Sequence, residues 1–345
     1  MAGDLSYRDL FYTFDTRKQQ NAPGTGTQFD RSLLMKIIFN HRLFNLRTKA
    51  TRFASMCHIG RLAGMLFLLG FFLTITVSCE TEDNDVFPDA EFIYEIHFID
   101  VGQGDAILFV SPDFTMLVDG GQRWGGVTGY LDQQGIEEID IVIGTHPHAD
   151  HIGGLIAVFE NYTVGEVLDP GVVHTTVTFE DYLTAIDENE IPFTVARRGM
   201  ERPLGDHAHM SILHPETPDE DHLNNSSVVA RVTFGEISLL LTGDLEMEGE
   251  LELIGVYDDL QSTILKAGHH GSYTSSTTRF LDQVNPEVSV IMCGRDNQYG
   301  HPHGSALARL ESASDEVYRT DLHGHILIES NGYEYRVTTS MNETE

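Results

Sequence analysis

Residues 145–154 read THPHADHIGG and place four side chains able to bind a transition metal within six positions. The four are His146, His148, Asp150 and His151. Imidazole and carboxylate groups are suitable ligands for zinc, manganese or iron. A polar surface turn would need neither this spacing nor the later histidine and aspartate clusters that could complete a site. The segment therefore predicts a metal centre.

Two later clusters could supply the remaining ligands of such a centre. Asp244 follows an apolar run at residues 237–241, and His269 and His270 follow another at residues 263–266. A pair of ions that activates water needs about six protein ligands, one of them bridging, and open coordination positions. The predicted assignment is His146 and His148 on one ion, Asp150, His151 and His269 on the other, and Asp244 between them. His270 is then an outer partner or a substrate contact, because a ligating imidazole usually needs a partner behind it.

The first cluster lies where a strand gives way to a helix. Residues 139–143 (IDIVI) are rich in β-branched apolar residues, which predicts a buried strand whose carboxyl end carries the histidines. Open α/β sheets place their chemistry at such strand ends. Residues 155–159 continue as a helix. Asp105 and Asp119 also lie beside glycines at predicted strand ends, where the backbone can approach a ligand closely.

The pattern of the whole chain predicts two sets of mixed strands and helices. The predicted strands are residues 91–100, 106–110, 114–118, 139–143, 164–168, 193–196, 210–214, 227–234, 237–241, 263–266, 288–292, 317–320 and 325–329. The predicted helices are residues 127–134, 155–159, 179–188, 247–254 and 305–312. We expect an α+β fold in which two sheets pack face to face under outer helices.

Charge is distributed unevenly along the 345 residues, whose formal net charge is −32. Residues 1–79 hold ten Lys and Arg against four Asp and Glu (+6), and the remainder holds 11 against 49 (−38). Such an acidic remainder repels nucleic acid and anionic lipid at low salt. A polyanionic substrate would therefore have to be attracted by bound metal. The three cysteines, Cys57, Cys79 and Cys293, are too few and scattered for a disulfide framework or a thiolate metal site.

The amino-terminal region carries an export pattern. Residues 62–78 are uncharged and apolar, with Arg61 before them and Cys79 after them. A basic flank, an apolar run and small residues before a cysteine are typical of a lipoprotein signal peptide. As a membrane span the 17 residues are short against the ~20 that a bilayer core needs. We expect an unstructured or mis-annotated segment (1–55), a lipoprotein-type signal peptide or membrane anchor (56–79), an acidic linker (80–90), and a domain (91–345) exported to the periplasm or cell surface.

Seven short motifs together resemble the metallo-β-lactamase fold family over residues 91 to about 340. They are residues 100–105 (DVGQGD), 119–121 (DGG), 146–151 (HPHADH), 224–228 (NNSSV), 241–244 (LTGD), 269–272 (HHGS) and 299–302 (YGHP). More narrowly, they resemble the extracytoplasmic hydrolase domain of the ComEC family of competence DNA-uptake proteins. The resemblance implies a four-layer αββα sandwich for the 91–345 domain, a metal-dependent hydrolase and a phosphodiester substrate.

The chain departs from the wider family at the first metal position. That family has a histidine just before the strand that begins near residue 227, whereas this chain has Leu223-Asn224-Asn225. The candidates to fill the position are His222, Asn225 and His301. Possible substrate contacts or outer partners are Asp105, Asp119, Asn225, His270, Ser272 and His301.

The expected function is hydrolysis by metal-activated water with two divalent ions, zinc in preference to manganese. Asp150 or Asp244 would position or deprotonate the water. The expected substrate is a small phosphodiester or single-stranded DNA, with a small ester or lactone as an alternative, and no protein partner is predicted. A competing hypothesis is a non-catalytic binding or adaptor module on the same fold, motivated by the missing histidine. The presence of Asp150, Asp244 and His269 argues against it.

Overall fold

A computed structural model of the chain describes residues 93–341. The segment 1–55, the predicted signal peptide or anchor with Cys79, and the predicted acidic linker lie outside these residues. Within them, no helix has the length and apolarity needed to cross a bilayer.

Residues 93–341 form fifteen strands in two sheets. The strands are β1 (Tyr94–Phe98), β2 (Ile107–Ser111), β3 (Phe114–Val118), β4 (Glu138–Ile143), β5 (Thr163–Asp169), β6 (Phe193–Val195), β7 (Glu201–Leu204), β8 (Ala208–His214), β9 (Val229–Phe234), β10 (Ile237–Leu241), β11 (Ile264–Lys266), β12 (Val288–Ile291), β13 (Glu316–Arg319), β14 (Ile326–Ser330) and β15 (Tyr335–Thr339). The first sheet has the order β15-β14-β1-β2-β3-β4-β5-β6, and the second has the order β13-β12-β11-β10-β9-β8-β7.

Eight helices connect these strands within the described part of the chain. They are α1 (Val127–Gln133), α2 (Ala149–Ile152), α3 (Leu155–Asn161), α4 (Val177–Glu188), α5 (Met247–Val256), α6 (Thr278–Val284), α7 (Gly304–Ala313) and α8 (Thr320–His323). Thr176 precedes helix α4 and caps its first turn, because the Thr176 hydroxyl accepts a hydrogen bond from the Phe179 N–H.

The alternation of side chains along the strands produces the central layer. Ile96 and Phe98 of β1 point to the same face of the first sheet and pack in one buried cluster with Val232 and Phe234 of β9 from the second sheet. Because successive side chains of a strand point to opposite faces, the same strands also present a second apolar face to the helices.

The helices cover the two outer faces. On the first sheet, Val142 of β4 packs in a buried cluster with Tyr182 of α4. On the second sheet, Leu240 of β10 packs with Leu253 of α5 and Phe280 of α6. Each such side chain, when fully buried, contributes about 1.5–3 kcal/mol. The predicted α+β sandwich with αββα layers is confirmed.

Parallel pairing brings the chemical clusters to one edge of each sheet. Strands β3, β4 and β5 run parallel, as do β10, β11 and β12. Carboxyl ends of parallel strands lie at the same edge, so Asp119 after β3 is adjacent to the histidines after β4. In the same way, Asp244 after β10 is adjacent to His269 after β11.

The elements differ from the predictions at the sheet edges and in three short helices. Strands β7 and β15, each an edge strand of its own sheet, and helices α6 and α8 are absent from the predicted set. Pro203 in β7 lacks an N–H and argues against a strand, but an edge strand tolerates it because one side of its backbone needs no partner. The histidine loop also contains a single helical turn, α2, where the sequence predicts only a loop.

Candidate metal centre

The histidine loop folds so that three imidazoles share one buried space. His148 precedes the first residue of α2, and this single turn carries Asp150 and His151 back toward His146. The ring centroids of His146 and His151 lie 4.1 Å apart, and both side chains are fully buried. His146 Nε2 lies 2.9 Å from His148 Nδ1. The structure therefore brings together the four residues of the first motif.

Asp244 enters this space from the second sheet and divides it in two. Its Oδ2 lies 3.7 Å from His146 Nε2, whereas its Oδ1 lies 3.3 Å from His151 Nε2 and 3.5 Å from His270 Nε2. Oδ1 is buried and accepts no hydrogen bond. A buried carboxylate oxygen without a partner is costly, so this geometry suits a cation on each side of the carboxylate.

Four ligand atoms converge on the Oδ1 side. His151 Nε2 and His270 Nε2 are 3.3 Å apart, and His270 Nε2 is 3.4 Å from Asp150 Oδ2. Ligand atoms about 2.0–2.2 Å from an ion in tetrahedral geometry lie roughly 3.3–3.6 Å from one another. The three spacings among His151, Asp244 and His270, and the one from His270 to Asp150, thus match those of a metal site.

Carboxylates behind the two imidazoles fix their orientation. His151 Nδ1 lies 2.7 Å from Asp119 Oδ2, and Asp119 itself accepts hydrogen bonds from the backbone N–H and hydroxyl of Thr145. His270 Nδ1 donates a hydrogen bond to the Met292 carbonyl at 2.9 Å and lies 3.2 Å from Asp105 Oδ1. A proton held on Nδ1 by a carboxylate or a backbone carbonyl leaves the Nε2 lone pair free for an ion.

Lys266 balances the charge of Asp105 from inside the second sheet. Its side chain is fully buried, and Nζ lies 2.6 Å from Asp105 Oδ2 and donates to the carbonyl of Ala267 at 2.8 Å. The pKa of Asp105, which burial would raise, is lowered by Lys266 and His270. Asp105 is therefore held as a buried, ionised carboxylate beside His270.

The electrostatics of the cluster favour positive charge. Burial alone would lower the pKa of His151 and of His270, but the negative charge of Asp244 and of the carboxylates behind the rings has the larger effect. As a result, the pKa of His151 is raised well above its usual value, and the pKa of His270 is raised to about 10. Burial would likewise raise the pKa of Asp244, yet the two imidazoles hold it well below its usual value. The cluster therefore attracts positive charge, which divalent ions would supply on binding.

His270, and not His269, occupies the place predicted for His269 at the second ion. Both residues have left-handed backbone conformations, with φ of 47° and 53°. This pair of unusual conformations turns the neighbouring imidazoles to different sides of Asp244, so that His269 Nε2 lies 3.8 Å from Oδ2. A paired-histidine motif gives no signal of which ring reaches which ion.

The other predicted residues lie outside the four-atom cluster. His222 is 70% exposed and pairs with Asp219. Asn225 accepts a hydrogen bond from the backbone N–H of Glu246, and Ser272 bonds the hydroxyl of Thr274. The ring centroid of His301 lies 5.6 Å from that of His269 and 6.1 Å from that of His270, so His301 borders the cluster.

Sequence reasoning missed two contributors to the site. Lys266 is the last residue of a short apolar strand, and its position directly before the second histidine cluster is the one signal that could have indicated a role. Glu246, whose Oε1 lies 3.1 Å from His269 Nδ1, follows Asp244 by two residues and reads as the start of a helix.

Comparison with known proteins identifies the family to which this two-sheet sandwich and its cluster of histidines and aspartates belong. Residues 99–295 match the Metallo-beta-lactamase superfamily, and the chain belongs to this superfamily. Its members are generally metal-dependent hydrolases and often bind two divalent ions.

Within the superfamily the chain is similar to competence proteins. It is 32% identical over 261 residues to ComE operon protein 3 of Bacillus subtilis (70% of this chain, 34% of that protein). It is 32% identical over 229 residues to competence protein ComA of Neisseria gonorrhoeae (65% of this chain, 30% of that protein). The chain spans about a third of the length of these relatives. The predicted resemblance to ComEC-like proteins is confirmed.

Among solved structures, the metallo-beta-lactamase fold protein YhfI from Bacillus subtilis has 14% sequence identity and a TM-score of 0.44, over 65% of this chain and 96% of that one.

Proposed function

We propose that the chain is a metal-dependent phosphodiesterase that uses two divalent ions bridged by Asp244. The observation that carries the proposal is the position of the Asp244 carboxylate, whose two buried oxygens face two separate sets of imidazoles. The similarity to proteins named for competence, together with one named recombination protein 2 from Haemophilus influenzae, supports a phosphodiester as the substrate, because both names refer to processes that act on DNA.

The residues present suit a pair of ions. His146 and His148 would hold the first, the group of Asp150, His151 and His270 would hold the second, and Asp244 would contact both. Bound divalent ions polarise a phosphoryl oxygen and lower the pKa of water, as two-metal sites do. Zinc fits the imidazole-rich set, and manganese is the alternative.

Asp150 is the carboxylate of the cluster best placed to act on water. Its side chain is 24% exposed, whereas that of Asp244 is 3% exposed. Burial would raise the pKa of Asp150, but His270 and His151 hold it below its usual value. An ionised carboxylate of low basicity orients a water by accepting its hydrogen bond, so Asp150 positions the nucleophile and does not need to deprotonate it.

Charge limits the form of the substrate. Residues 80–345 carry −38, which opposes the approach of a long polyanion at low ionic strength. We therefore infer a short phosphodiester or a single-stranded segment as substrate. Cleavage of oligonucleotides should increase with added salt, the reverse of the usual salt dependence for a basic nucleic-acid-binding protein.

The location of the chain is inferred from the pattern at residues 62–79. We propose export with anchoring through Cys79 or the apolar run, so that the domain acts outside the cytoplasm. Replacement of Cys79 by alanine should release the protein from the membrane fraction if Cys79 is lipidated.

The test of the activity uses the full chain stripped of metal and then supplied with zinc or manganese. Bis-p-nitrophenyl phosphate and a single-stranded oligonucleotide are the substrates. We expect hydrolysis that His148→Ala abolishes and that His209→Ala leaves unchanged, because His209 is an exposed residue of β8 paired with Glu201. A chain that binds almost no metal and hydrolyses neither substrate would favour the adaptor hypothesis.

A further inference from the structure

The two sides of Asp244 differ in the number of ligands that the cluster provides. The Oδ1 side has three further groups, from Asp150, His151 and His270. The Oδ2 side has two, from His146 and His148. For the two ions to have the same number of protein ligands, one more ligand atom is therefore needed near Oδ2.

His269 presents a ring nitrogen to that oxygen. Its Nε2 lies 3.8 Å from Asp244 Oδ2, almost the same as the 3.7 Å from His146 Nε2 to the same atom. The amide Nδ2 of Asn224 lies 3.5 Å from His269 Nε2, and an amide nitrogen is a donor. With the proton on Nδ1, Nε2 therefore carries the lone pair, which this amide contacts in the structure and which a cation on the Oδ2 side would take in its place.

A second, independent observation is the carboxylate behind the ring. His269 Nδ1 lies 3.1 Å from Glu246 Oε1 and 3.3 Å from the Thr274 hydroxyl. Asp119 lies in the same way behind His151, and the Met292 carbonyl and Asp105 lie behind His270. A ligating histidine almost always donates its other ring N–H to a carboxylate, a backbone carbonyl or a water, and Glu246 supplies that partner for His269.

The other candidates near this side have different environments. His222 is exposed and pairs with Asp219, and Asn225 uses its oxygen for the backbone at the start of α5. His301 stacks against Tyr299 with ring centroids 5.6 Å apart, and its ring centroid lies 5.6 Å from that of His269 and 6.1 Å from that of His270; its Nδ1 is buried and has no hydrogen-bond partner.

We propose that His269 is the third nitrogen ligand of the first ion, alongside His146 and His148, with Asp244 bridging. The neighbouring histidines of one motif would then bind different ions, His269 the first and His270 the second. This assignment rests on the proposed two-ion site but concerns binding alone.

The experiment measures metal binding by the full chain and not its activity. Metal-free protein is titrated with zinc against a chromophoric chelator, and circular dichroism verifies that each variant is folded. The variants are His148→Ala, His269→Ala, His270→Ala and the milder Glu246→Gln, with His209→Ala as the matched control. We expect two ions in the parent chain and in the control.

The expected pattern separates the two ions. His269→Ala should weaken one ion by more than about 100-fold and leave the other, and Glu246→Gln should weaken the same ion by about 10-fold, since loss of an outer partner costs 10–100-fold. His148→Ala combined with His269→Ala should still bind one ion. His269→Ala combined with His270→Ala should weaken both.

Three results would overturn the assignment. The first is that His269→Ala binds two ions with the affinity of the parent chain. The other two are that His148→Ala with His269→Ala weakens both ions, or that His269→Ala with His270→Ala weakens only one. Glu246→Gln tests the same position if His269→Ala does not fold. A parent chain that binds two ions without hydrolysing a phosphodiester would refute the proposed activity and leave this assignment standing.

Discussion

Lys266→Met should destabilise the protein and weaken the second metal position at the same time. Lys266 has no exposed surface, and its ammonium lies 2.6 Å from Asp105 in a pocket that water does not reach. Methionine keeps the length of the side chain but removes its charge. Asp105 is then left as a buried carboxylate with only His270 as a charged partner at hydrogen-bond distance.

The magnitude follows from the burial of the pair. Removal of one partner from a buried ion pair costs about 3–5 kcal/mol, because the other charge stays desolvated and uncompensated. For a domain of this size the loss corresponds to roughly 10 °C in melting temperature. Asp105 would also take up a proton more readily, which removes the negative charge behind His270 Nδ1. Affinity for the second ion should therefore fall about 10–100-fold.

The assay is urea unfolding of the full chain in the presence of a chelator, followed by zinc titration. The control is the double variant Lys266→Met with Asp105→Asn, which removes both charges and keeps the shape of the side chains. It should recover most of the lost stability but not the metal affinity, since an amide is a poorer partner than a carboxylate for a ligating imidazole. A cost below about 1 kcal/mol for Lys266→Met, or a double variant no more stable than the single one, would refute the ion-pair reasoning.

Three further predictions concern glycine geometry, metal and pH. Gly104→Ala should sharply reduce stability and metal affinity, because a Cβ there would lie 2.2 Å from the Asp150 carbonyl; Gly102→Ala, also at positive φ but with open space around it, should cost only about 1 kcal/mol in urea unfolding. Zinc at 100 times its dissociation constant should stabilise the fold by about 2.7 kcal/mol for each ion bound, measured as a rise in melting temperature that chelator reverses and that His148→Ala with His270→Ala abolishes. Burial raises the pKa of Asp169 to about 7, although the carboxyl group accepts hydrogen bonds from the Gly171 N–H and the Tyr182 hydroxyl. The folded state therefore favours the protonated carboxyl group, and the stability that Asp169 contributes is present below about pH 4 and is lost as the pH rises toward 7. The melting temperature of Asp169→Asn relative to the parent should therefore increase from pH 4 to pH 7 and level off above it, and a difference independent of pH would contradict this account.

The fold was predictable because its interior strands are rich in β-branched apolar residues. Strand β4 carries four of them, interrupted only by Asp140, and the observed Glu138–Ile143 differs by one residue from the predicted 139–143. Edge strand β7, by contrast, carries two charged residues and a proline in four positions, so its pattern resembles a loop. Local sequence cannot show that β8 supplies the partner that makes it a strand.

The site was predictable to the level of motifs but not of atoms. Spacing within residues 146–151 indicates four ligands because one loop positions them all. The roles of His269 and His270 depend on two successive left-handed residues and on carboxylates far away in sequence, Asp105 and Glu246. Lys266 illustrates the same limit, because its partner Asp105 belongs to the loop before β2 in the other sheet.

The distribution of ligands between the two sheets gives metal binding a structural consequence. His146, His148, Asp150 and His151 follow β4 of the first sheet, whereas Asp244, His269 and His270 follow β10 and β11 of the second. A metal ion on either side of Asp244 would therefore join the sheets, in addition to the apolar layer that includes Ile96 and Val232. Binding and folding are coupled when the ligands come from separate elements, because the unfolded chain offers no preformed site. Hydrogen exchange should accordingly slow at the carboxyl ends of β4, β10 and β11 when metal is added, while edge strand β15, which the site does not touch, should exchange at the same rate with and without metal.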